Sequence, residues 1–281
     1  MADFHPVTEA LFDSPVPPGT GWPEDPATEA TSVASSPLDV ERLACEASSI
    51  RELDSIVSVC RACPRLVTWR EEVATSRRRA SFAHEPYWGR PVPGTGQQDA
   101  PILIVGLAPA ANGANRTGRM FTGDRSGDWL WAALHDVGLA RKPTSLAAGD
   151  GQSLAGARMT ATVHCAPPAN KPTADERTTC TPYLSHEVKL MTNLRVILAL
   201  GGIAWNAVIS TLRDDGWAIP RPKPAFGHAE RAALMAPDGR KISLLGCYHP
   251  SQQNTFTGRL TRPMLKSVLA EARRLGAMPP C

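Results

Sequence analysis

The sequence predicts an α/β protein, a three-layer α/β/α sandwich with a central four-stranded parallel sheet. Three observations predict it. Short, largely apolar runs at 101–106, 159–164, 195–200 and 242–247 read as buried strands, because they lack the alternation of a half-exposed strand. Segments with helical spacing lie between them. Loops rich in Gly, Pro and polar residues at 106–124, 165–172 and 248–259 follow three of the runs. In open parallel sheets, ligands bind outside the carboxyl ends of the strands, so these loops are expected to converge on a site.

The elements follow in chain order. Residues 1–36 are rich in Pro, Ser, Thr and acid and poor in large apolar side chains, so a disordered tail is expected there. A single domain is expected over 37–281. Leu43, Ala47, Ile50, Leu53 and Val57 give one helical stripe from Leu38 to about Ser58, and Pro64 opens a second helix through Glu72. Residues 76–100 read as a basic, Gly/Pro-rich connection. After the first strand and its loop, Ser126 can cap a helix carrying Leu130, Ala133, Leu134 and Val137. Further helices are expected near 178–191, 203–213 and 261–274, with 141–157 and 214–240 irregular.

With 281 residues the chain can form one large domain or two small ones. No apolar run is long enough for a membrane span, and no basic-then-apolar leader opens the chain, so the cytoplasm or nucleoid is the expected location. The net charge of +3 is unevenly spread. Residues 1–36 hold six acids and no Lys or Arg, which leaves +9 on residues 37–281. That balance suits either a polyanionic partner or a solvated basic surface.

Seven cysteines without an export signal argue against a disulfide framework. Cys60-x-x-Cys63, with Cys165 and Cys180 far downstream, forms a quartet suited to structural zinc or an iron–sulfur cluster. Cys45, Cys247 and Cys281 have no close partner and read as core or tail residues.

The loop from Gly106 to Asp124 has neither the spacing of a dinucleotide fingerprint nor the Lys-Ser/Thr ending of a phosphate-binding loop. Its small residues allow a ligand to approach the backbone. Phe121, in otherwise polar surroundings, suits a stacking platform for a planar base or an anchor to the core.

Four motifs occur in order: Gly106-Leu-Ala-Pro109, Asn115-Arg-Thr-Gly-Arg-Met-Phe-Thr-Gly-Asp124, Cys165-Ala-Pro-Pro-Ala-Asn-Lys-Pro172 and His249-Pro-Ser251. With the four cysteines, they resemble the uracil-DNA glycosylase superfamily, specifically its iron–sulfur type 5 branch and above all mycobacterial members. The resemblance covers about residues 38–275. It implies a monofunctional glycosylase of base-excision repair, probing double- and single-stranded DNA as a monomer, with no membrane association. Uracil and other deaminated or modified bases would be flipped out and removed by hydrolysis, leaving an abasic site.

By the same resemblance, Gly106, Leu107 and Ala108 line the base pocket, Phe121 stacks on the base and Asn170 reads its edge. His249 donates to the departing pyrimidine. The carboxylate or amide that several relatives carry near the first motif is replaced by Leu107 and Ala108, so Asn115 is the expected water-positioning residue and Asp124 the other polar candidate. Asp124 also suits a helix start. Ala161 stands where the type 4 branch has an Asn, which implies weaker discrimination among bases. Ser251, Gln252, Arg259 and Arg262 are the expected DNA contacts, with Lys266 nearby; the Arg77-Arg78-Arg79 run suits phosphates or a solvated turn. Cys60, Cys63, Cys165 and Cys180 would hold a [4Fe–4S] cluster without a chemical role. The alternatives are a uracil-restricted type 4 enzyme and a zinc-stabilised nucleic-acid-binding protein without catalysis.

Overall fold

A computed structural model of the protein describes residues 2–277. The sheet is built from β3 (Thr95–Gly96), β4 (Ile102–Gly106), β5 (Ala157–Ala161), β6 (Val196–Leu200), β7 (Arg231–Met235) and β8 (Lys241–Cys247), in the spatial order β3-β5-β4-β6-β8-β7. The four expected strands form its parallel centre. Two antiparallel edge strands, β3 and β7, make it six-stranded and mixed. β7 arises inside a stretch expected to be irregular, where only alternate residues are buried.

The sheet separates two apolar layers. Ile102, Ile104, Val196, Leu198 and Leu245 face one core, closed by α5 (Arg125–Asp136) and α9 (Arg262–Leu275). Leu103, Val105, Ile197, Ala199 and Leu244 face the other, closed by α6 (Ala174–Leu190) and α7 (Gly202–Asp214). Successive side chains of a strand point to opposite faces. Covering both faces therefore demands the unbroken apolar runs seen in the sequence.

The single helix expected over 38–58 is two, α1 (Pro37–Glu46) and α2 (Ile50–Val59), because Ser49 accepts from Glu52 N and starts a new helix. α3 (Pro64–Thr75) follows. α5 is capped by Asp124, which accepts from Gly127 N at 2.9 Å, rather than by Ser126. α6 starts at a capping box of Thr173 and Glu176, four residues earlier than expected. No helix among the described residues is long and apolar enough to cross a membrane.

The largest correction concerns residues 1–36. Residues 2–36 are not a disordered tail but an arm laid on the domain, with a small ladder of β1 (Asp3–Phe4) and β2 (Leu11–Phe12). Few apolar side chains suffice because they are large and placed together. Trp22 meets the rings of His5 at 4.5 Å, Phe12 at 5.0 Å and Trp88 at 6.0 Å. Three of its six acids are matched by buried or half-buried arginines: Asp3 with Arg78 at 2.5 Å, Asp25 with Arg90 at 2.6 Å, and Glu24 with Arg119.

On the other side of the fold, Arg158 on β5 is 1 % exposed and lies between Asp54 of α2 at 2.6 Å and Glu187 of α6 at 2.5 Å. Burial pushes the Asp54 carboxyl up to about 6, while the guanidinium opposes that shift. Removing the cation strands two buried carboxylates. Arg158→Met is therefore expected to lower unfolding free energy by about 3–5 kcal/mol in urea titrations. Adding Asp54→Asn and Glu187→Gln should recover a large part of that loss; a triple variant no more stable than Arg158→Met would contradict the pairing.

Candidate active site and cysteine centre

The loop after β4 sets the geometry of the site. The Phe121 backbone has φ +51°, the left-handed region that side chains disfavour. Its carbonyl accepts from Trp131 Nε1 at 2.9 Å. Two glycines make the turn sterically feasible. A Cβ on Gly127 would stand 2.0 Å from the Phe121 carbonyl oxygen, and one on Gly106 would stand 2.7 Å from the Phe121 ring. The ring thus lies against the end of β4, at the carboxyl edge of the sheet.

His249 reaches the same place from the end of β8. Its ring centroid is 6.0 Å from that of Phe121, with the planes 35° apart. Both rings border a cleft of about 700 Å³ whose walls also include Gly106, Leu107, Ala108, Asp124, Asn170, Ser251 and Gln252. Burial pushes the His249 imidazole down to about 4. At neutral pH it is uncharged and still carries one N–H to donate. Asp124 is the only carboxylate on the cleft wall among the described residues, and burial raises its carboxyl above the usual range against the hydrogen bond from Gly127 N.

Asn115 does not join this group. It sits in α4 (Ala114–Thr117), fully buried, and its Nδ2 donates to the carbonyls of Arg70 at 3.3 Å and Ala111 at 3.4 Å. It ties the loop to α3 rather than facing the cleft, so the expectation that it positions water is corrected. A sequence motif cannot tell which face of a one-turn helix points inward.

Asn170 lies on the rim, exposed and with φ +56°. Ser251 precedes the short α8 (Gln252–Phe256). Arg259 and Arg262 lie outside the cleft, stacked on Tyr248 at 4.6 Å and Trp129 at 4.7 Å, and Lys266 is exposed 3.6 Å from Asp136. In the arginine run, Arg77 pairs with Glu72 at 3.1 Å. Arg78 is engaged by Asp3 and by the Ala74, Ala83 and Glu85 carbonyls, which removes it from the expected phosphate contacts. Sequence reasoning missed Arg125 and Ile203, which also line the cleft. Both sit at helix starts following strand-end loops, the one signal that could have marked them.

Cys60 ends α2, Cys63 begins α3, Cys165 follows β5 and Cys180 lies in α6, yet all four line one interior cavity. None forms a disulfide. Cys247 is buried on β8, Cys45 is exposed, and Cys281 lies outside the described residues. Arg70, His164 and Tyr183 border the same cavity. Arg70 Nη1 donates to Cys165 Sγ at 2.8 Å, Arg70 Nε is buried without a partner, and the Tyr183 hydroxyl is directed at Cys60. A buried donor without an acceptor is costly. Four thiols beside a guanidinium and a hydroxyl fit an anionic, sulfur-rich group. No three His, Cys, Asp or Glu side chains among the described residues close around a single ion.

Comparison with known proteins agrees with this geometry. The model of the Uracil DNA glycosylase superfamily matches residues 93–273. The type-5 uracil-DNA glycosylase of Mycobacterium tuberculosis is 55% identical over 276 residues, 98% of this chain and 100% of that protein. That of Mycobacterium leprae is 57% identical over 233 residues, 83% of this chain and 98% of that protein. That of Thermus thermophilus is 49% identical over 222 residues, 79% of this chain and 96% of that protein. With a full-length match at this identity and the motifs gathered at one strand edge, the chain belongs to the uracil-DNA glycosylase superfamily, on its type-5 branch.

Proposed function

We propose that the protein is a monofunctional DNA glycosylase of base-excision repair that hydrolyses the N-glycosidic bond of uracil and of other deaminated or modified bases, leaving an abasic site. It acts as a monomer in the cytoplasm, at the nucleoid, on double- and single-stranded DNA. The observation that carries this reading is the meeting of Phe121 and His249 at one cleft. A base in a duplex is out of reach of any side chain and must be extruded into such a cleft.

The two rings stand 6.0 Å apart, less than the roughly 7 Å that a base sandwiched between two contact distances would need. The base therefore stacks on the open side of Phe121, and His249 addresses its edge. As the bond to the sugar lengthens, negative charge collects on the departing base, and the neutral imidazole donates to it. Asp124 takes the water-activating role expected of Asn115: as the carboxylate on the wall, it orients the water and receives its proton. Asn170 contacts the base edge from the rim. The wall is otherwise apolar at Leu107, Ala108 and Ala161, which supports acceptance of several bases. Ser251 and Gln252 meet the DNA beside the cleft, with Arg259 and Arg262 further out along the same segment.

Cys60, Cys63, Cys165 and Cys180 would hold a [4Fe–4S] cluster, and the Arg70 and Tyr183 donors beside the thiols support an acceptor-rich group there. When bound, the group supplies cross-links joining α2, α3 and α6 to the end of β5; glycosidic hydrolysis moves no net electron. Protein purified aerobically is expected to be brown with about four irons per chain. Zinc without iron would overturn that assignment.

Single-turnover assays on uracil-containing oligonucleotides test the chemistry. His249→Ala should lower the rate about 100- to 1,000-fold, the range for loss of one transition-state donor. Asp124→Asn should cost less; equal losses would refute this division of labour. A strict requirement for uracil in the same assay would contradict the broad range.

The pH profile supplies a separate test. His249 has a lowered value, so its neutral form persists as pH falls until about 4. Asp124 has a raised value, so its carboxylate is lost at higher pH than an ordinary Asp. The acid limb of kcat/KM is thus expected to belong to Asp124 and to flatten in Asp124→Asn. A limb that disappears only in a His249 variant would show that the imidazole titrates in the working range.

A further inference from the structure

The arm of residues 2–36 touches the site through one buried cation. Arg119 lies two residues before Phe121 and is 2 % exposed. Its Nη1 donates to Ser145 Oγ at 2.9 Å and Asp150 Oδ1 at 2.8 Å. Its other edge, Nε and Nη2, donates to both oxygens of Glu24, the Nε contact at 3.2 Å. Glu24 also accepts from Gly149 N at 3.0 Å, which joins it to the loop carrying Asp150. On the far side of Phe121, Thr122 Oγ1 shares a 2.8 Å hydrogen bond with Ser145 Oγ, and Thr117 Oγ1 donates to the Thr122 carbonyl at 3.1 Å. The same network thus grips the residues before and after Phe121.

We propose that Glu24 is a positioning residue: from the N-terminal arm, and through Arg119, it fixes the turn that keeps Phe121 in its left-handed conformation beneath the cleft. The physical reason is the burial of Arg119. A desolvated guanidinium must have acceptors on all its edges, and Glu24 provides them for an entire edge. Without Glu24 that edge has no acceptor, the guanidinium turns toward solvent, and residues 118–122 lose the constraint that holds an unfavourable φ. The ring then samples other orientations, and any ligand stacking on it loses a preorganised surface. This inference rests on reading the cleft as the base pocket. Its direct consequence, the order of the turn, can be measured without substrate.

Glu24 is a suitable position to change because its side chain is 44 % exposed. Three full-length variants separate the outcomes. Glu24→Gln removes the charge, Glu24→Asp keeps it on a shorter stem, and Asp3→Asn breaks an arm contact with Arg78 remote from the turn. Hydrogen–deuterium exchange of peptides spanning 117–123 should speed up in Glu24→Gln, stay unchanged in Asp3→Asn, and be partly restored in Glu24→Asp. Inhibition by free uracil, which would fill the base pocket against Phe121 without engaging DNA, should weaken roughly tenfold in Glu24→Gln. Affinity for a duplex carrying an abasic site, which leaves that surface empty, should not change.

A merely structural role would lower Tm and move both binding measurements together. Unchanged exchange at 117–123 in Glu24→Gln would overturn the inference, and so would equal loosening in Asp3→Asn. If the unmodified protein released no uracil from oligonucleotides, the functional reading would fall, and the exchange experiment would still decide the role of Glu24.

Discussion

The backbone at Phe121 is the constraint around which the site is built. A bulky residue in the left-handed region costs about 1–2 kcal/mol relative to ordinary backbone, so it persists only where its surroundings leave no alternative. Here the alternatives are removed one by one. Trp131 holds the carbonyl, Gly127 leaves space beside it, Gly106 receives the ring, and the Arg119 network holds the flanking residues. Relaxing the turn would move the ring off the end of β4 and dissolve the wall that His249 faces. The fold around it, a sheet end with helices on both sides, gives that turn a rigid base.

His249 and Asp124 are shifted in opposite directions by the same cause, burial. The imidazole therefore rests neutral, ready to donate as charge develops on the departing base, and the carboxylate binds a proton more readily than an ordinary Asp, as suits a group that receives one from water. Among the described residues the one cation on the wall, Arg125, lies over the Phe256 ring at 4.5 Å.

Much of this was legible in the chain. The four parallel strands could be read because burial on both faces leaves a continuous apolar signature, and the site loops because they follow those strands. The edge strands were not legible: β3 is two residues long, and β7 is half-exposed within a segment rich in Gly and Pro. Phe121, His249 and Asp124 could be placed together from their motifs, whereas Asn115 could not, since its orientation depends on α3 packing behind it. The arm was misread for a thermodynamic reason. Composition rules count apolar residues, but one Trp set among His, Phe and Trp rings, with three acids matched to arginines of the domain, offsets the ordering entropy of a polar segment.

Those three ion pairs alter how the molecule meets a polyanion. Cations release condensed counterions only when they reach phosphates, and that release governs how steeply affinity falls with ionic strength. Arg78, Arg90 and Arg119 are committed inward, to carboxylates of the same chain. The lysines and arginines left for the nucleic-acid backbone are fewer than the basic composition of residues 37–281 suggests. The affinity for DNA should then fall less steeply with ionic strength than a count of all those cations would give.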